Sequence, residues 1–137
     1  DEHLARGEDL IVLGDFNDGP GLDEFEKLFG RSGVEIVLGT AEPDAQRLRD
    51  PHAEMALMAR VGLAPTTARF YIAPQKRWFD ALLDFIMVSP DLCRRGPVWR
   101  IWHPHDDPAL AADPLLGPAL LDASDHFPVT LDLGPVE

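Results

Sequence analysis

The most apolar stretch of the chain, residues 81–88, carries a carboxylate in its middle: Ala81-Leu82-Leu83-Asp84-Phe85-Ile86-Met87-Val88. Such a run is expected to be a strand buried on both faces. A buried charge without a partner is costly, so Asp84 needs one or is protonated. A solvated sheet face is the competing reading, and Ile86, apolar and on the same face by alternation, opposes it.

Ser124-Asp125-His126 supplies the candidate partner. It falls in a turn before a last strand predicted over residues 129–133, hence at a sheet rim. A neutral imidazole offers one donor and one acceptor, and a carboxylate fixes its tautomer and raises its basicity. An Asp84–His126 pair would satisfy the buried charge and create a general acid/base group or a charged donor. Asp125 would stay free for a hard cation. Taken alone, the dipeptide reads more readily as a satisfied structural histidine.

A third group follows the short apolar run of residues 10–13, which suits a buried strand. Gly14-Asp15-Phe16-Asn17 places a carboxylate and an amide at the rim of a sheet, where open α/β folds hold ligands. Phe16 should point away and leave Asp15 and Asn17 on one side. A plain Asx turn into a following helix explains the same residues. A calcium loop does not, because Pro20 falls where the sharp-turn glycine belongs.

Composition sets outer bounds. With 137 residues, 45% hydrophobic and 26% charged, the chain suits one globular domain rather than a disordered acidic tail. One cysteine, Cys93, excludes a disulfide scaffold or a Cys-rich zinc module, and no apolar run is long enough to span a membrane. A net charge of −12 disfavours non-specific binding to duplex nucleic acid, which needs Lys and Arg to neutralise phosphates. A local basic groove stays open, with Arg69 and Lys76-Arg77 as the nearest patch.

Along the chain, residues 1–7 read as a helix end capped by glycine. Leu22, Phe25, Leu28 and Phe29 predict a helix ending at Gly30. Residues 34–38 predict a strand. Asp50-Pro51 predicts a helix start, with the helix reaching about Arg60. Residues 66–72 and 98–102 predict strands, residues 74–77 a turn. Residues 103–118, with four prolines, predict a long loop, followed by a helical turn near Leu120. His103-Pro104-His105-Asp106-Asp107 holds metal-site residue types, but prolines and the lack of a second cluster favour a polar loop. Trp78, Trp99 and Trp102 could stack on bases, though packing is the commoner use. Many strands with few helices point to an α/β layered sandwich.

The three motifs occur in one order, each at a strand edge. Gly14-Asp15-Phe16-Asn17, Asp84-Phe85-Ile86-Met87-Val88-Ser89 and Ser124-Asp125-His126 together resemble the endonuclease/exonuclease/phosphatase superfamily, the DNase I-like fold. The resemblance implies a four-layer α-β-β-α sandwich and divalent-metal-dependent hydrolysis of phosphate esters with Mg²⁺ or Mn²⁺. Asp15 would orient or deprotonate water and bind metal. Asn17 would hydrogen-bond phosphoryl oxygens. His126, held by Asp84, would contact the phosphate, and Asp125 would lie at or near the metal. The family's N-terminal half brings an Asn and a metal-binding Glu that nothing before Leu10 supplies. Residues 1–137 are therefore expected to be the C-terminal part of one domain, inactive by itself and exposing an apolar sheet face. The partners implied are a phosphate-ester substrate, with nucleic acid not favoured by charge, and that N-terminal half. A nuclease acting on DNA or RNA, or a binding module retaining the fold, are the alternatives. The compartment is left open.

Overall fold

The structure, a computed structural model, describes residues 2–21, 24, 26–58 and 64–135. In chain order these form helix α1 (Glu2–Ala5), strand β1 (Ile11–Asp15), helices α2 (Gly33–Leu38) and α3 (Pro51–Met58), and strands β2 (Ala68–Ile72), β3 (Arg77–Ala81) and β4 (Asp84–Val88). Helix α4 (Pro90–Cys93), strand β5 (Val98–Ile101), helices α5 (Pro108–Ala112) and α6 (Leu116–Ala123) and strand β6 (Val129–Asp132) complete them. The class is mixed α/β. Among the described residues the strands pair antiparallel in twos, β1 with β4, β2 with β3, and β5 with β6.

The core forms where β4 meets helices α2 and α3. Phe85 and Met87 project to one side of β4 and pack with Val34 and Leu38 of α2, Ala53 of α3, Leu48 and Leu82. The outer face of β1 differs from the expectation of full burial: Val12 packs on the core, while Ile11 and Leu13 are 42% and 67% exposed. Only one side of β1 is covered.

Asp50 clamps α3 to β4. Its Oδ1 accepts from the backbone N–H groups of His52 and Ala53 at 2.9 and 3.2 Å, an N-cap, while Oδ2 accepts from Ile86 N–H at 3.0 Å. The predicted helix start at Pro51 is present, and α3 runs to Met58. Arg60 lies outside the described residues.

Three expectations are corrected. Residues 34–38 form helix α2, not a strand. Ser32 Oγ accepts from Glu35 N–H at 3.2 Å, Glu35 Oε2 accepts from Ser32 N–H at 2.9 Å, and Gly39 closes the end at φ 75°. A capping box and a left-handed glycine outweigh the β preference of Val34, Ile36 and Val37. Among the described residues, the helix predicted through Leu28 is a 3₁₀ turn at Glu26–Leu28, with Leu28 and Phe29 81% and 74% exposed and so not packed on the core. Leu22 and Phe25 lie outside the described residues.

The third correction concerns residues 103–118, which hold two helix starts. Asp107 Oδ1 accepts from Ala109 N–H at 2.9 Å with Pro108 in the first helical position; Asp113 Oδ1 accepts from Leu115 and Leu116 at 2.9 and 2.8 Å. Pro108 begins α5 instead of breaking it, and Pro114 lies in the turn that leads into α6. Gly117 lets α6 approach α5, since a Cβ there would lie 2.7 Å from the Leu110 carbonyl oxygen.

Candidate active site

Strand register brings the first two carboxylates together. Asp15 ends β1 directly opposite Asp84, which begins β4, so their side chains share one face of the sheet. The next residue turns inward: Phe16 donates its N–H to the Leu83 carbonyl at 2.8 Å, and its ring packs on Phe85 with centroids 5.1 Å apart. Asp15 Oδ1 then accepts from Asn17 N–H at 2.8 Å, an Asx turn with Asn17 at φ 50°.

His126 reaches this face from the far end of the chain. A bridge between Ala68 and His126 sets the segment beside β2, flanked by Arg69 N–H donating to the Asp125 carbonyl and Phe127 N–H to the Thr67 carbonyl, each at 2.7 Å. His126 N–H donates to Ser124 Oγ at 3.0 Å. The imidazole Nδ1 lies 2.9 Å from Asp84 Oδ2. Nδ1 is the donor in that contact, because an ionised carboxylate only accepts. His126 lines the same groove as Asp15 and Asp84.

Thr67 is the residue that sequence reasoning missed. It is fully buried, and its Oγ1 accepts from both Leu83 and Asp84 N–H at 3.0 Å, while its carbonyl holds Phe127. One side chain therefore fixes the strand end that carries Asp84 and the backbone beside His126. A threonine in a β-rich stretch gives no stronger signal than strand propensity.

Ligand atoms of Asp15, Asp84 and His126 all lie within 4.8 Å of one another. They line an open groove of about 320 Å³ with Leu13, Ile86 and Val129. Burial by itself would lower the His126 pKa; the hydrogen bond to Asp84 and the charges of Asp84, Asp15 and Asp125 outweigh it and raise the pKa above the usual imidazole range. The result is an imidazole whose protonated form is favoured, at a groove lined by two carboxylates.

The five candidate residues do not all converge. Asn17 is exposed and lies outside the walls of this groove, joined to it through its backbone bond to Asp15. Asp125 is exposed and lines a separate groove with Arg69 and Trp78, outside the three-residue cluster. It acts on its neighbour His126 as a nearby charge. The 103–107 segment forms no metal cluster among the described residues. His103 is instead buried with its ring 4.2 Å from that of Phe127, and burial lowers its pKa.

A hard divalent cation fits the donor chemistry. Such ions take one or two carboxylates and complete their shell with water and phosphate oxygens. Asp15 is the carboxylate best placed for this, since an oxygen of Asp84 is already engaged by His126.

The sequence model described as the Endonuclease/Exonuclease/phosphatase family matches residues 1–126, a span that starts before β1 and ends on His126. No curated protein and no solved structure matches the chain.

Proposed function

The chain belongs to the endonuclease/exonuclease/phosphatase family, and from that premise we propose that it is a divalent-metal-dependent hydrolase of phosphate esters. The carrying observation is the 2.9 Å Asp84–His126 pair with Asp15 within ligand distance. His126, protonated, donates from Nε2 to a phosphoryl oxygen and stabilises charge as it accumulates there. Asp84 is its positioning residue. It holds the tautomer and keeps the proton affinity high.

Asp15 accepts the proton of the attacking water or orients it, with reach across the same sheet face. Asn17, tied to Asp15 through its backbone N–H, supplies an amide donor to phosphoryl oxygens once substrate is seated. Mg²⁺ or Mn²⁺ held through Asp15 would supply neutralisation of the phosphate charge. Asp125 contributes through its field on His126; its side chain lies outside the cluster that would hold the ion.

We read residues 1–137 as the C-terminal part of one four-layer domain. The exposed Ile11 and Leu13, directly beside Asp15, are the apolar face on which a second sheet would pack. The net charge of −12 favours small phosphate esters over duplex nucleic acid as substrate.

The test is a panel of a generic phosphodiester, phosphomonoesters and plasmid DNA with Mg²⁺ or Mn²⁺, assayed on the chain and on any longer protein containing it. Hydrolysis that EDTA stops is expected in the longer protein, and His126→Ala should lower it by about a hundredfold or more. Turnover surviving His126→Ala would overturn the assignment. Full turnover by residues 1–137 alone would overturn the C-terminal-part reading.

A further inference from the structure

The β2–β3 hairpin presents a second groove beside the first. Across the hairpin, Tyr71 pairs with Trp78 and Arg69 with Asp80, so these four side chains share one face. Trp78 is 57% exposed, yet it is held on two sides. Tyr71 meets it edge-on with centroids 5.6 Å apart, and the Arg69 guanidinium carbon lies 5.5 Å from its ring centre. Exposed indole fixed in this way is a platform ready for a planar ligand, because little ordering remains to be lost on binding.

The groove, about 570 Å³, runs between Trp78, Arg69, His105, Asp122 and Asp125, a size that suits a small ligand. Phe127 is a common wall of this groove and of the one holding Asp15, Asp84 and His126. The Arg69 N–H to Asp125 carbonyl bond of 2.7 Å, one residue from His126, ties the two together.

The charges decide what fits. Arg69 is shared with Asp80, at 3.5 Å, and Asp122 and Asp125 add two carboxylates. A second phosphate would be repelled there. An uncharged planar ring would not be, and carboxylates accept hydrogen bonds from exocyclic amino groups. We propose that this groove is the subsite for the organic group of the substrate and takes a nucleobase: a nucleoside monophosphate stacks its base on Trp78 while its phosphate lies at His126. This rests on the phosphoesterase reading and narrows it to small esters carrying a planar ring.

The experiment is calorimetric titration of the chain, in EDTA and near pH 6, with adenosine 5′-monophosphate, ribose 5-phosphate and inorganic phosphate. The monophosphate should bind roughly tenfold or more tightly than ribose 5-phosphate, as expected for one base stacked on an aromatic side chain. Trp78→Ala should remove that advantage and leave the other two affinities unchanged. Trp78→Phe should keep part of it, which separates stacking from loss of the hairpin. His126→Ala should weaken all three ligands by a common factor. The subsite is overturned if the monophosphate binds no better than ribose 5-phosphate, shows no saturable binding at millimolar concentration, or loses nothing on Trp78→Ala. If Trp78→Ala removes the base-dependent binding while His126→Ala changes no affinity, the groove stands and the phosphoesterase reading falls.

Discussion

Two aspartates bear on the same strand and do opposite work. Asp50 is 1% exposed and spends both oxygens on backbone N–H groups, two in α3 and one, Ile86, in β4. Asp84, two residues earlier on β4, has a side chain 21% exposed and spends an oxygen on His126, a group that itself titrates at an open groove. A carboxylate satisfied by the backbone joins elements. A carboxylate satisfied by an imidazole sets the proton affinity of a side chain that substrate can reach.

The largest effect should separate the two on stability. Asp50→Ala leaves three N–H groups without their acceptor and removes a helix cap, and is expected to cost about 2–4 kcal/mol. Asp84→Ala, at a partly exposed site, should cost clearly less. Urea unfolding of both variants measures this, and the distinction between anchor and chemical carboxylate fails if the order is reversed.

A smaller effect should appear in proton affinity. With Asp84→Asn, the hydrogen bond and charge that raise His126 are lost while burial still lowers it, so the His126 pKa should fall below that of the native chain. A ¹H–¹⁵N titration reads this directly. The stability consequence has a definite sign. A raised folded pKa means that the contribution is fully present below the unfolded imidazole value of about 6.5 and disappears as pH rises through the folded value. Burial likewise raises Asp50, against the pull of its backbone bonds. The proton-linked part of its contribution is therefore present below the unfolded carboxylate value, about 3.9, and lost as pH rises through its raised one, while its bonds to the backbone N–H groups remain. The pH profile of stability should show His126→Ala altering the window above about pH 6.5 and Asp84→Asn altering that same window. No change there would break the link between Asp84 and His126.

What was legible in the sequence follows from how far each signal reaches. Asp84 stood out because a charge in an apolar run demands a partner, and His126 was the group able to answer. Asp15 and Phe16 followed from strand alternation. The placing of Asp125 in a separate groove did not, because it depends on which residue of the segment pairs with β2, Ala68 with His126, and that register has no local code. Misread elements share another cause. Val34, Ile36 and Val37 look like strand until Ser32 and Glu35 are read as a reciprocal cap. The prolines of residues 103–118 look like loop until Asp107 and Asp113 are seen to precede them as helix starts. Short capping motifs overrode composition in both places. Strand β3 was hidden because Trp78 and Phe79 follow directly on the Lys76 turn.

Thr67 sharpens the comparison at its finest level, because its hydroxyl does for Asp84 what Asp50 does for Ile86: it accepts a backbone N–H of β4. Thr67→Val keeps the shape and removes the acceptor, leaving the Leu83 and Asp84 N–H groups unpaired in a site with no exposure. The cost should be about 1–2 kcal/mol, below that of Asp50→Ala, since one neutral acceptor is lost instead of a charged one. If Thr67 positions the chemical carboxylate, the same substitution should also shift the His126 pKa part of the way that Asp84→Asn does, and Thr67→Ser should restore both readouts. A stability loss with an unmoved His126 titration would make Thr67 a packing residue, and the pair of aspartates would then be positioned by strand register alone.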